Sequence, residues 1–269
     1  MFDGLTAVMA ERSGFSVGYV TGAGVANSQL AAPDVGILQF DAMALQVRRI
    51  VAATTIPMIV DADTGFGGPP SVMYVVRTLE SLGAAGIQIE DQVMPKRCGH
   101  FDGKSVVEVG EMQAKVAAAV RARSDDNFTI IARTDAAAVE GIDAALVRAR
   151  AYREAGADVV FVEAPRSEED LRTVARELAG TPVLINIVEG GRTPEREVVE
   201  LETLGYRLVL RANVLLRCMV RAGLDCLAAL ADPSLPMPAY VSWEQRQELV
   251  NLTAFDALED ELRTRWVGK

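Results

Sequence analysis

Short runs rich in Val and Ile alternate with amphipathic stretches of helical length along most of the chain, and that alternation limits the fold more than any other feature. The apolar runs are Val17–Thr21, Met58–Asp63, Gly86–Asp91, Thr129–Asp135, Val159–Ala164, Val183–Val188 and Arg207–Ala212. Most are nearly continuous in hydrophobicity, as parallel strands covered on both faces must be. Between them lie helical stretches: Gly4–Arg12, Phe40–Val51, Ser71–Ser81, Val109–Arg123, Ile142–Ala155, Glu168–Leu178, Glu195–Leu204 and Val214–Leu230. Several stop at a glycine (Gly83, Gly156, Gly205), the residue that most readily takes the left-handed conformation closing a helix.

Strand, helix, strand in regular order predicts an α/β protein with a parallel sheet. The 269 residues match one (β/α)8 barrel of the TIM type, whose usual size is about 250 residues. Seven runs are clear, so a closed barrel needs an eighth strand, and Met1–Asp3 is read as its stump. An open doubly wound sheet is the alternative. No linker rich in Ser, Gly or Pro divides the chain, so residues 1–269 read as one domain. Beyond residue 231 a connector with prolines at 233, 236 and 238 leads to two short helical segments, a C-terminal extension of about residues 232–269. These segments are expected to pack on the barrel or on a neighbouring subunit.

Composition excludes several functions. The net charge of −10 offers no basic patch for nucleic acid. Apolar runs stop far short of the eighteen or so residues of a membrane span, and Met1–Gly4 lacks the basic and apolar regions of a secretory signal. Three cysteines without a C-x-x-C pair (Cys98, Cys218, Cys226) fit a reducing cytoplasm, and Cys218 and Cys226, in an apolar stretch, are expected in the core. An anionic substrate would have to be held against the global charge by local arginines or a metal.

In such barrels the reactive groups sit at the carboxyl ends of strands. The second run ends Asp61-Ala62-Asp63, and residues two apart on a strand share a side, so both carboxylates are expected at the mouth. The third ends Glu90-Asp91, whose side chains point opposite ways, so one of them joins the group. A single Asp at a strand end is usually a cap. Three crowded carboxylates repel unless a cation joins them, and with no clustered His or Cys this oxygen set suits Mg²⁺ or Mn²⁺.

The segment after Asp91 has no periodicity and is long for a strand–helix connection, which marks a functional loop. It carries the single histidine, His100, and Cys98 among Lys96 and Arg97; the three cationic groups would lower the thiol pKa and make Cys98 a competent proton donor or acceptor. Arg133, a cation inside an apolar run, is expected to face the mouth and meet a carboxylate, from Glu163 or the substrate. Glu163, Asn186, Glu189 and Arg211 also lie at or near strand ends, and the turn Thr21-Gly22-Ala23-Gly24 can offer backbone N–H groups to an anion.

The loop Lys96-Arg97-Cys98-Gly99-His100 resembles the signature of the isocitrate lyase/phosphoenolpyruvate mutase superfamily. Matching stretches run through nearly the whole chain: Tyr19-Val20-Thr21-Gly22, Pro33-Asp34, Asp61 to Gly67, Glu90-Asp91-Gln92, Ala132-Arg133-Thr134-Asp135 and Asn186 to Gly191. The resemblance implies a barrel whose last helix is exchanged between subunits of a homodimer or homotetramer. It implies that Asp61 holds Mg²⁺ directly while Asp63 and Glu90 act mainly through water. Thr21, Gly22, Ala23 and Arg133 would grip a substrate carboxylate, with Asp34, Lys96, Gly99, Glu163, Asn186, Glu189 and Arg211 completing the binding set. Cys98 would protonate the carbanion left by retro-aldol cleavage, and Tyr19 would help deprotonate the hydroxyl.

Departures bear on the substrate. Phe101-Asp102-Gly103-Lys104 and Val188-Glu189-Gly190-Gly191 look more like the dimethylmalate lyase, oxaloacetate hydrolase and carboxyphosphonoenolpyruvate mutase branch than like methylisocitrate lyases. Leu210-Arg211-Ala212-Asn213 lacks the Pro-Leu-Ser of lyases, and Arg211 is expected to reach the pocket and bind a distal anionic group. The first expectation is a lyase cleaving a 2-hydroxy di- or tricarboxylate. A phosphonate enzyme and an oxaloacetate hydrolase or decarboxylase are its rivals, and the retained carboxylates and Cys–His loop disfavour a non-catalytic scaffold.

Overall fold

The computed structural model describes residues 1–97 and 103–267. Seven strands, β1 (Gly18–Val20), β2 (Met58–Asp61), β3 (Gly86–Glu90), β4 (Thr129–Thr134), β5 (Val159–Val162), β6 (Val183–Asn186) and β7 (Leu208–Leu210), pair in parallel in the order of the chain. Each pairs with its successor, for example Glu90 with Arg133 and Asn186 with Leu210, so every carboxyl end lies at one rim of a nearly closed barrel. Ile59, Ile131, Phe161 and Leu184 fill the interior.

Helices cover the outside. α1 (Gly4–Arg12), α2 (Gly22–Leu30), α3 (Phe40–Val51), α4 (Pro69–Ser81), α5 (Val109–Ala122), α6 (Ala136–Val139), α7 (Ile142–Glu154), α8 (Glu168–Glu177), α9 (Val198–Leu204) and α10 (Val214–Ala231) precede α11 (Trp243–Leu249) and α12 (Leu252–Trp266). Their inward stripes follow helical spacing: Met43, Val47 and Ile50 on α3, and Val72, Val75, Val76 and Leu79 on α4, are all buried. Among the described residues no helix is long and apolar enough to cross a membrane.

Three expectations change. Met1–Asp3 is not a strand: Asp3 caps α1, accepting from the Thr6 amide. The stump survives as two backbone bonds, the Met1 ammonium donating to Tyr19 O and the Thr21 amide to Met1 O at 3.1 Å. Among the described residues β1 and β7 do not pair with each other, and a 570 Å³ apolar cavity lies between them, lined by Met1, Tyr19, Leu208 and Leu210 among others. Second, the glycine turn after β1 opens into α2, because burial of Val25 and Ala26 outweighs the poor helix propensity of Gly22 and Gly24. Third, Cys218 is exposed and Cys226 only half-buried, so neither is a core residue, because α10 leaves Val220, Leu224, Leu227 and Leu230 in solvent. No residue of α11 or α12 is buried, and Trp243, Phe255 and Trp266 are two-thirds exposed or more.

Candidate active site

The rim formed by the ends of β2, β3 and β4 gathers most of the buried charge. β2 stops at Asp61, and Asp63 lies beyond it with φ +47°, so the two carboxylates are not strand neighbours as the sequence suggests. They meet another way. Asp61 accepts the Asp63 amide at 3.1 Å and the Gly22 amide at 3.2 Å. A Cβ on Gly22 would stand 3.2 Å from Asp61 Oδ2 and 3.3 Å from Asp63 Oδ1, so one point at the start of α2 touches both carboxylates and only glycine leaves it open. Glu90 faces the same rim. Asp91 points away, accepting from Tyr152 Oη at 2.7 Å and from the Asp135 amide at 2.9 Å.

Cations thread this group. Lys96 Nζ lies 2.6 Å from Asp63 Oδ1 and also pairs with Asp34. Arg133 lies 3.4 Å from Glu90 and 3.9 Å from Glu163, but its closest partner is Asp135, reached by two bonds of 2.9 and 3.0 Å. The expected Glu163 partner is thus secondary, because Asp135 is two residues away and fits both guanidinium donors. Lys104 Nζ donates to Asp135 Oδ1 at 2.7 Å, the oxygen that also accepts from Arg133 Nη2.

The charges shift one another's protonation. Burial, then the neighbouring Asp61, push the Asp63 carboxyl from 3.8 up to about 7. Burial raises Glu90 well above the carboxylate range, with Arg133 opposing. Asp135 goes the other way: burial would raise it, yet Arg133 and then Lys104 overcome that and hold it below its ordinary value. Burial, then Asp61, keep the Tyr19 phenol protonated, and its hydroxyl donates to Gln88 Oε1 at 2.5 Å.

A divalent cation fits the donor set. All the side chains are hard oxygens, Gly22 leaves the approach clear, and Glu90 Oε1 is buried with no hydrogen-bond partner among the described residues. Also among the described residues, no three acidic, His or Cys side chains converge closely enough to ligate one ion together. A cation here would therefore take one or two carboxylates directly and the rest through water, as Mg²⁺ commonly does.

The remaining expected residues divide. Asn186 sits at the end of β6, buried, its Oδ1 unpartnered among the described residues. Glu163 follows β5 and is buried. Thr21 caps α2, its hydroxyl accepting from the Gly24 amide at 3.3 Å. With the Thr21 amide on Met1 O and the Gly22 amide on Asp61, three of the turn's N–H groups are already engaged, leaving the Ala23 amide for an anion. Glu189 and Arg211 pair with each other at 2.8 Å at the outer edge of the rim, and Arg211 lines the seam cavity. Cys98, Gly99 and His100 lie outside the described residues, between Lys96 and Lys104. Sequence reasoning missed Asp135, Lys104 and Gln88 as members of the site. The first two stood in quoted motifs, but only their contacts give them a role.

A parallel barrel whose strand ends carry a buried acidic cluster threaded by lysine and arginine defines a TIM-type enzyme with its site at the carboxyl rim. The chain belongs to the phosphoenolpyruvate phosphomutase family, whose model matches residues 1–231, and is an enzyme of the phosphoenolpyruvate mutase/isocitrate lyase superfamily. It is 41% identical over 265 residues to the 2,3-dimethylmalate lyase of Eubacterium barkeri, covering 97% of this chain and 91% of that protein. A solved oxaloacetate acetylhydrolase bound to 3,3-difluorooxalacetate superposes with TM-score 0.92 at 35% identity, over 100% of this chain and 91% of that one. A phosphonopyruvate hydrolase solved with oxalate and Mg²⁺ superposes with TM-score 0.83 at 29% identity, over 99% and 92%.

Proposed function

We propose that the protein is a Mg²⁺-dependent carbon–carbon lyase that cleaves a small 2-hydroxy di- or tricarboxylate, dimethylmalate-like or methylisocitrate-like, into a 2-oxo acid and a second carboxylic acid. The observation that carries this reading is the open point that Gly22 leaves between Asp61 and Asp63, with Glu90 ending the neighbouring strand β3. Asp61, with Asp63 and Glu90 through water, would hold the cation; Mn²⁺ would substitute. When bound, it would supply Lewis-acid stabilisation of the negative charge on the substrate's 2-hydroxyl oxygen, from which the C–C bond breaks.

The protein's own groups do the rest. Arg133, aligned by Asp135, binds a substrate carboxylate together with the Ala23 end of the α2 turn. Tyr19 would help to take the hydroxyl proton as a phenolate, a form that burial and then the charge of Asp61 oppose until a bound cation offsets them. The bonding pair then moves onto the departing acid as a carbanion, and Cys98 donates its proton to that carbon. Lys96, Asp34, Asn186, Glu189 and Arg211 surround the variable end of the substrate, with Gly99 and His100 flanking the thiol. Dimeric or tetrameric assembly through the exposed α10–α12 belongs to the same reading, as does a cytoplasmic setting.

Oxaloacetate hydrolysis is the second reading, favoured by the full-length match to the acetylhydrolase. One assay tests both: incubation with Mg²⁺ and 2,3-dimethylmalate, 2-methylisocitrate, oxaloacetate or phosphonopyruvate, followed by measurement of pyruvate, oxalate and phosphate. Pyruvate from a hydroxy acid supports the lyase. Oxalate from oxaloacetate supports the hydrolase, phosphate points to phosphonate chemistry, and inactivity with every acid defeats the proposal.

A further inference from the structure

Lys96 is buried at the acidic rim, its side chain 4% exposed, with its ammonium between Asp63 and Asp34. The two partners differ in position. Asp63 shares an open point with Asp61 beside Gly22, whereas Asp34 belongs to the connector between α2 and α3. An ammonium and a divalent cation need the same lone pairs of Asp63, and two cations in one dry pocket repel each other strongly. Asp34, half-buried and already bonded to the ammonium, gives it a second partner without full exposure to solvent.

We infer that Lys96 is a built-in competitor for the metal: it serves as the counter-ion of Asp63 in the metal-free protein and yields that carboxylate, retreating onto Asp34, when a divalent cation binds. The inference rests on the metal-dependent reading above and adds to it a residue that sets metal affinity. Lys96 thus weakens metal binding while preventing the carboxylates from being left uncompensated when the metal is away.

Mn²⁺ binding to the metal-free protein, followed by the EPR signal of free Mn²⁺, tests this without any assay of turnover. Lys96→Met should bind Mn²⁺ about tenfold more tightly than the wild type, within the usual range of coupling between sites. Arg97→Met removes an equal charge from an exposed neighbour and should change affinity less than about twofold, because solvent screens it. Asp34→Asn, which removes the resting place and leaves the ammonium on Asp63, should bind more weakly than the wild type; this variant carries the test if Lys96→Met does not fold. Equal or weaker binding by Lys96→Met, a matching gain in Arg97→Met, or tighter binding by Asp34→Asn overturns the inference while leaving the metal-dependent reading intact. Absence of Mn²⁺ binding in every form, wild type included, defeats both.

Discussion

Arg133 donates two hydrogen bonds to Asp135, from Nε at 2.9 Å and from Nη2 at 3.0 Å, and neither residue has more than slight access to solvent. Because Asp135 also takes Lys104, it orients the arginine and anchors the segment that follows residues 98–102. Asp135→Asn should cost both roles at once. Breaking a buried ion pair by removing one partner costs about 3–5 kcal/mol, so a large fall in melting temperature is expected by calorimetry. Activity in the surviving folded fraction should fall mainly through a higher KM, since Arg133, proposed above to bind a substrate carboxylate, loses its alignment.

Cys98 is expected to supply the proton that ends cleavage. General acid catalysis contributes about 10²–10⁴-fold, so Cys98→Ala should lower kcat by at least about 100-fold while the KM changes little. Steady-state kinetics with whichever candidate acid the enzyme turns over checks this. An undiminished kcat would remove the thiol from the reaction.

Chelation gives the metal prediction. Treatment with EDTA should abolish turnover, and Mg²⁺ or Mn²⁺ should restore it, whereas Ca²⁺ should restore much less because it favours higher coordination and longer bonds. Turnover that survives exhaustive chelation would end the metal-dependent reading.

The raised pKa of Asp63 makes stability depend on pH. In the folded, metal-free protein this carboxyl holds its proton to about pH 7, against its ordinary value of 3.8. Between those values the folded state binds more protons than the unfolded chain, so the contribution to stability is complete below 3.8 and is lost as pH rises to about 7. The EDTA-treated protein should therefore melt at a higher temperature at pH 5 than at pH 8, and Asp63→Asn should flatten that dependence. Mg²⁺ should raise the melting temperature more at pH 8 than at pH 5, because it competes there with no proton.

The exposed apolar surface of α10–α12 predicts assembly. Trp243, Phe255 and Trp266 are 66%, 67% and 73% exposed, a degree of apolar exposure that usually marks an interface. Sedimentation should find a dimer or tetramer for the full chain. Residues 1–231 alone should assemble less strongly, since they lack α11 and α12.

Much of the fold was legible because strand and helix each announce themselves by local spacing. The seven apolar runs became β1–β7 with only their ends trimmed, and helices such as Phe40–Val51 were recovered to the residue. α2 was not, since Gly22 and Gly24 argue locally for a turn and only burial against Phe2 and its neighbours makes the segment helical. The run Met58–Asp63 shows the same limit: it reads as one strand, but Asp63 takes a left-handed φ that no periodicity encodes.

By itself the sequence determined that strands and helices alternate in a parallel barrel, that acidic residues fall at the strand ends, and that a single Cys–His loop follows Glu90-Asp91. It could do so because each depends on residues adjacent in the chain. Tertiary structure alone decided which charges meet: that Arg133 chooses Asp135 over Glu163, that Lys96 spans Asp34 and Asp63, and that Gly22 touches the space between two carboxylates. Those pairings join residues from different strands and loops, and their energies depend on burial and distance, quantities that exist only once the barrel has formed.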